Sequence, residues 1–291
     1  MIAFHLFGRP IYRYGIFYFI SFIIGYLFLV FLSKKGYFRQ YPMLQNILSH
    51  HLETLLTFLI LGVIVGGRLG YILIYRLPYY LEHLSEIFEV WKGGMSFIGG
   101  GLGLITSMFI FRHKYKLSWR EFFLLFDCLF VIVPLGIFFG RLGNYLNQEL
   151  YGIAIQNVCF GGWCLPSQVI EALKNIGIAH VYPLVDDILR VNTNALSMVF
   201  EGIVLLIIEV SLFVKQIKKL IFQPGKITAI FLIWYSFVRF RLEYLRQDSQ
   251  SEFIGIFTRS QWVFIVSFLV GVGIMVFMKK KKCLKGLKKN D

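Results

Sequence analysis

The chain has 291 residues, 57% of them hydrophobic and 18% aromatic, with a mean hydropathy of +0.67. Only 16% are charged, too few to cover a soluble domain, yet the net charge of +14 raises nucleic acid as a partner. The placement of the bases excludes it, because they cluster in alternate gaps between long apolar runs, as residues that fix membrane topology do.

A bilayer-spanning helix needs roughly 20 apolar residues. Such runs are expected as helices at 14–32, 55–75, 95–111, 119–140, 196–214, 227–245 and 262–278. The reading is one all-α integral membrane domain over residues 1–291, with seven transmembrane helices. A closed barrel would show short alternating segments, which "YGIFYFISFIIGYLFLVFL" lacks. No cleavable signal peptide is expected, since the first apolar run is itself span-length.

Following the chain, Lys34, Lys35 and Arg39 come after the first span. Arg112, Lys114, Lys116 and Arg120 separate the third and fourth, and Lys215, Lys218, Lys219 and Lys226 the fifth and sixth. A tail "KKKKCLKGLKKND" closes the sequence, while the intervening loops hold Glu82, Glu86, Glu89, Asp186, Asp187, Asp248 and Glu252. Positive loops stay cytoplasmic, which sets the N-terminus outside and the C-terminus inside. The tail then reads as a topology anchor on anionic lipid. Residues 153–195 form the only sizeable segment outside the spans. About 40 residues are too few for an independent domain, so the segment is expected to be a small extracytoplasmic cap. Within it Cys159 and Cys164 are able to pair if that compartment oxidises. No metal site is expected, because no histidine accompanies those cysteines.

This topology gathers the unusual residues in the outer half of the membrane: Tyr14, Arg68, the glycine run Gly93 to Gly103, Arg141, Glu201, Arg239, Glu243 and Arg246. Arg239, Glu243 and Arg246 are spaced by four and three residues and share a helix face. Arg141, Asn144, Tyr145 and Gln148 repeat the pattern on the fourth span. Such stripes face a bundle interior or a wet cavity. One reading is an ion-pair lock, Arg239 with Glu243, that only joins helices. The other follows from arginines outnumbering acids: surplus positive charge invites an anion, and in the outer leaflet a phospholipid phosphate suits guanidinium. Gly62, Gly66, Gly136 and Gly140 have the small-xxx-small spacing of close helix packing. The denser run from Gly93 to Gly103 adds free backbone N–H groups at a helix start, a second feature that favours anions.

The stretch "GRLGNYLNQELYG", Gly140 to Gly152, resembles the signature of the prolipoprotein diacylglyceryl transferases, bacterial inner-membrane enzymes, with Tyr145 where that signature has Phe. Similar matches follow in order: "YRYGIFY" around Tyr14, "GGRLGYILIY" around Arg68, "GGMSFIGG" around Ser96 and "WYSFVRFRLEYLRQD" around Arg239. The family's Pro-Ser-Gln segment has "LPSQVIEAL" as its match, farther than usual from "FEG" at Phe200 to Gly202.

The resemblance implies transfer of the diacylglyceryl group of phosphatidylglycerol to the lipobox cysteine of a prolipoprotein signal peptide, forming a thioether and releasing glycerol 1-phosphate. It implies Arg141 and Arg239 as the catalytic, positively charged residues at the lipid phosphate. Tyr14, Arg68, Ser96, Asn144, Glu149, Gly152, Glu243 and Arg246 would be substrate-binding. No cofactor and no metal are implied. Ile98 stands where the family commonly has histidine or tyrosine. The thiol proton then goes to Glu149 or Glu243, or the arginine field alone stabilises thiolate, or the protein is a catalytically inactive phospholipid-binding relative. Electrostatic activation is favoured here, since a carboxylate paired to arginine is a poor base. A transporter of anions is disfavoured, because the inner halves of the spans are apolar.

Overall fold

The computed structural model describes residues 2–6, 9–155, 159–160, 163–247 and 253–287. It is mostly helical, and the chain divides into two compact units, Leu29–Phe122 and Met1–Phe28 with Phe123–Asp291. Among the described residues four helices are long and apolar enough to cross a membrane: Leu52–Tyr75, Trp119–Leu146, Thr193–Lys219 and Arg259–Met278. Helix also occupies most of the other three apolar runs, as α1 (Arg13–Lys35), α5 (Phe97–Lys114) and α11 (Lys226–Glu243). Lys226, Arg239, Arg241 and Glu243 all fall within α11, which makes it less apolar than the four.

In the unit Leu29–Phe122, helix α2 (Pro42–His50) leads into α3 (Leu52–Tyr75), the short α4 (Leu77–Glu82) and α5. Helices α3 and α5 meet along glycine. A Cβ on Gly66 would lie 2.5 Å from the Cα of Gly103 and the carbonyl of Gly99, and one on Gly70 2.5 Å from the Cα of Gly99. The backbones therefore touch, the close approach that small residues permit in lipid. Gly99 and Gly103, from the run expected to favour anions, serve this seam. Of the glycines expected to pack, Gly62 and Gly66 do so, whereas Gly136 meets nothing within 4 Å. Glu121 ties the start of α2, its Oε1 accepting from the backbone N–H of Met43 at 3.0 Å and Leu44 at 3.3 Å.

The other unit holds a hairpin of β1 (Ile2–Leu6) and β2 (Arg9–Tyr12), the start of α1, and most of a fourth apolar run broken into α6 (Trp119–Phe130) and α7 (Val133–Leu146), where Pro134 enters the first turn of α7. Proline starts a helix well because it lacks only an N–H that has no partner there. The fifth run joins α9 (Thr193–Ser197), a π-helical turn Met198–Val204 and α10 (Leu205–Lys219) into one span. Asp127, fully buried on α6, caps α11: it accepts from Gly225 N at 2.8 Å, Thr228 N at 2.9 Å and Thr228 Oγ1 at 2.8 Å. The last helix, α12 (Arg259–Leu287), packs on α11 where Gly271 comes close to Ile233 and the carbonyl of Ala229.

Between α7 and α9 lies the segment expected to be a cap. Two hairpins, β3 (Cys159–Phe160) with β4 (Trp163–Cys164) and β5 (Ala179–Val181) with β6 (Leu189–Val191), flank helix α8 (Ser167–Asn175). Cys164 is disulfide-bonded, and its ladder partner in the first hairpin is Cys159. The core is small: Ile155, Ala179 and Val191 are buried, with Leu165, Ile170 and Leu173 packed around them.

Candidate active site

The C-terminal end of α7 builds the first wall. Arg141 and Asn144, three residues apart, lie on adjoining turns, and Asn144 is buried. The chain then leaves the helix through a constrained loop in which Gln148 (φ 57°) and Leu150 (φ 52°) both adopt left-handed backbone. That conformation disfavours residues with a Cβ, and it persists where surrounding bonds enforce it. The enforcing bonds are visible. Gln148 Oε1 accepts from Leu184 N at 2.6 Å, Thr193 Oγ1 donates to the Leu150 carbonyl at 2.8 Å, and Asn194 Nδ2 donates to the Glu149 carbonyl at 2.8 Å.

The π-helical turn supplies the centre. Glu201 is completely buried, and Gly202 beside it lets α7 approach, since a Cβ there would lie 2.9 Å from that of Phe138. The indole N–H of Trp234 donates to the Phe200 carbonyl at 2.9 Å and secures the turn to α11. Widened turns of this kind re-aim a side chain and recur at functional sites. Here the side chain is Glu201, which faces Arg141 Nε at 3.7 Å and Arg239 Nη1 at 3.8 Å. Neither approach is a hydrogen bond, and both Glu201 oxygens are buried without a hydrogen-bond partner among the described residues.

Helix α11 completes the cluster. Arg239 Nη2 lies 3.3 Å from Glu243 Oε2, and Arg246 Nη1 lies 3.8 Å from the same oxygen. Tyr235, one turn before Arg239, shares the field of Glu201, Arg239, Arg141 and Glu243. Guanidinium groups of Arg141, Arg239 and Arg246 and the carboxylates of Glu201 and Glu243 thus meet in one largely dry place.

Gly152 contributes proximity. Its N–H donates to the Val191 carbonyl at 3.0 Å, it bridges to Arg246, and a Cβ there would strike the carbonyl of Val191 and lie 2.8 Å from that of Leu245. Glycine thus draws the cap strand β6 and the end of α11 together. Glu149 enters through its backbone, and its side chain is exposed. Tyr14 lies in the first turn of α1, its side chain outside the described residues.

Arg68 and Ser96 belong to the other unit. Arg68, on α3, spends its donors on carbonyls: Nε to Ile87 at 2.9 Å, Nη1 to Gly93 at 2.7 Å, and Nη2 to Glu86. Its guanidinium also lies over the Tyr80 ring, 5.1 Å from the centroid. Ser96 caps α5 by accepting from Gly99 N at 3.2 Å. These bonds order the loop 86–96. Pro166, Ser167 and Gln168, matched to the family's Pro-Ser-Gln segment, begin α8, which has no buried residue. The residues that meet the signature loop instead are Thr193 and Asn194, held by Asn192 as N-cap. Tyr235 was not singled out from sequence, and Glu201 was gathered with the outer-half polar residues, as a lone acid inside an apolar span, without a role.

Long apolar helices around a buried charge cluster define a membrane protein with a polar centre at the helix ends. The family model for prolipoprotein diacylglyceryl transferase matches residues 1–277. A Chromobacterium violaceum protein named phosphatidylglycerol–prolipoprotein diacylglyceryl transferase is 32% identical over 288 residues, 97% of this chain and 96% of the relative. A Neisseria meningitidis protein of the same name is 34% identical over 277 residues, 91% of this chain and 92% of its own. One from Ehrlichia ruminantium is 32% identical over 262 residues, 89% and 90% of the two chains. The chain belongs to the prolipoprotein diacylglyceryl transferase family and is a transferase.

Proposed function

We propose that this protein transfers the diacylglyceryl group of phosphatidylglycerol to the thiol of a lipobox cysteine in a prolipoprotein signal peptide, releasing glycerol 1-phosphate. The observation that carries the reading is the convergence of arginines from separate helices on the buried Glu201. Arg141 Nε and Arg239 Nη1 lie 3.7 and 3.8 Å from the Glu201 carboxylate, so guanidinium groups come together in a dry place where a phosphodiester can be held. Arg141 and Arg239, on separate helices, are the residues that grip the phosphate, and Asn144 and Glu243 hold the walls. Guanidinium donors fixed in a dry site stabilise the charge that grows on the phosphate as the carbon–oxygen bond breaks.

The same reading sets seven spans in a bacterial inner membrane, N-terminus out, with residues 153–195 capping the site on the extracytoplasmic side. The relatives named for this reaction and the alternation of basic loops support it. The test is incubation of the purified full-length chain with phosphatidylglycerol vesicles and a lipobox peptide. Glycerol phosphate and thioether-linked peptide are expected in equal amounts, and Arg141→Ala or Arg239→Ala lowers turnover by about 100- to 1,000-fold while the protein stays folded. Lipid binding without released glycerol phosphate defeats the proposal and leaves a phospholipid-binding protein.

A further inference from the structure

Transfer to a thiol leaves one proton to be placed. An ordinary cysteine, with a pKa near 8.5, is only a few per cent ionised at neutral pH, so a base in the site raises the rate. Position 98 offers none, being isoleucine. Glu149 is exposed, and only its backbone is held at the loop. Glu243 is paired more closely to arginine, with Arg239 Nη2 3.3 Å and Arg246 Nη1 3.8 Å from its Oε2.

Glu201 differs from both. It is completely buried, neither oxygen has a hydrogen-bond partner among the described residues, and the two arginines that face it stop at 3.7 and 3.8 Å. A buried carboxylate without hydrogen bonds is costly, and native structures keep such a group chiefly where function uses it. The groups around it come from three elements: Arg141 on α7, Arg239, Glu243 and Tyr235 on α11, and Ser197 one turn earlier in its own helix. The two arginines that flank it are the two that the preceding section assigns to the phosphate. A bound phosphate that takes both guanidiniums would leave the Glu201 carboxylate without the charges that now face it.

We infer that Glu201 is the general base of the transfer, accepting the cysteine proton as sulfur attacks; this rests on the reaction proposed above. Sulfur forms a bond to the glyceryl carbon of the diacylglyceryl group, and the bond from that carbon to the phosphate oxygen breaks. The electron pair leaves with glycerol 1-phosphate, and the thiol proton moves to the Glu201 carboxylate. The phosphate monoester or water takes that proton away, which restores the acid. The count is unchanged throughout: one thiol proton lost, one phosphodiester converted to a monoester.

The experiment is a pH–rate profile of the full-length chain with phosphatidylglycerol vesicles and a lipobox peptide, followed by glycerol phosphate release. Glu201→Gln keeps the shape of the side chain and removes the base. It is expected to lower kcat by about 100-fold near neutral pH, with KM for the lipid changed less than threefold. Its rate should then climb about tenfold per pH unit towards the ordinary thiol range near 8.5, where the cysteine ionises unaided. Glu201→Asp keeps a carboxylate, and serves as well if the glutamine variant fails to fold. It is expected to retain the wild-type dependence on pH at reduced rate. A loss of the same factor at every pH, a loss carried by KM, or no loss overturns the inference and returns Glu201 to holding arginines. A wild type that releases no glycerol phosphate defeats the transfer reading instead, so the two failures are distinct.

Discussion

Single residues set how close the walls of the site come. Gly152 is the sharpest case, because its N–H is bonded to β6 and the space for a side chain is taken by the carbonyls of Val191 and Leu245. Gly152→Ala forces the cap strand away from the end of α11, a strain of about 1–3 kcal/mol. Arg246 bridges to this backbone, so the variant is expected to lose about 100-fold in turnover with most of its helix content kept. Steady-state rates beside circular dichroism check this. At the same scale, the Arg190 guanidinium beside Asp186 holds the Asp186 carboxyl below the usual carboxylate range, and Arg190 also donates to the Gly152 carbonyl at 3.3 Å. A depressed folded value means that this contribution is present above the unfolded value near 4 and disappears as pH falls through the folded one. Amide exchange at Arg190 and Val191 should therefore quicken only in acid below that range, and in Asp186→Asn it should be fast already at neutral pH. Arg141, Asn144, Arg239, Glu243 and Arg246 were legible as stripes, because helical spacing puts them on shared faces. Glu201 and Tyr235 were not, since each stands alone in an apolar stretch and finds its partners on other helices. Nothing in "SMVFEGIVLL" announces the widened turn that aims Glu201.

Elements were read best where a single period runs the length of the run. The apolar runs gave helices because about 20 residues of Phe, Ile, Leu and Val in lipid satisfy the backbone in no other open form. The break between α6 and α7 was missed, although Pro134 marks it, because the hydropathy does not drop there. The cap hairpins were also missed: their strands are two or three residues long and carry no alternation to read. Element contacts depend on a few polar ties. Asp127→Ala removes three acceptors from the start of α11 and leaves Gly225 and Thr228 N–H groups buried without partners. The expected loss is about 1–3 kcal/mol, seen as a lower unfolding temperature in detergent, with substrate affinity of the folded fraction unchanged. An unaltered midpoint would show that another acceptor takes over the cap.

For the molecule as a whole, the lysine-rich gaps and the acidic ones predict which loops face the cytoplasm, and this is a separate matter from the chemistry. Reporters placed after Lys219 and after Lys116 should be active only in a cytoplasmic assay, and one within residues 167–175 only in an extracytoplasmic one. The opposite pattern would invert the topology and remove phosphatidylglycerol of the outer leaflet as the substrate source. The glycine seam between α3 and α5 bears on how such a chain is made. Its two helices are near neighbours in sequence, and they join through backbone contact that lipid does not compete with. They can therefore dock during biosynthesis as soon as the second leaves the insertion machinery, before α7 and α11, which bear Arg141 and Arg239, have been translated. The α3–α5 pair can therefore stand complete in the bilayer before the later helices reach it.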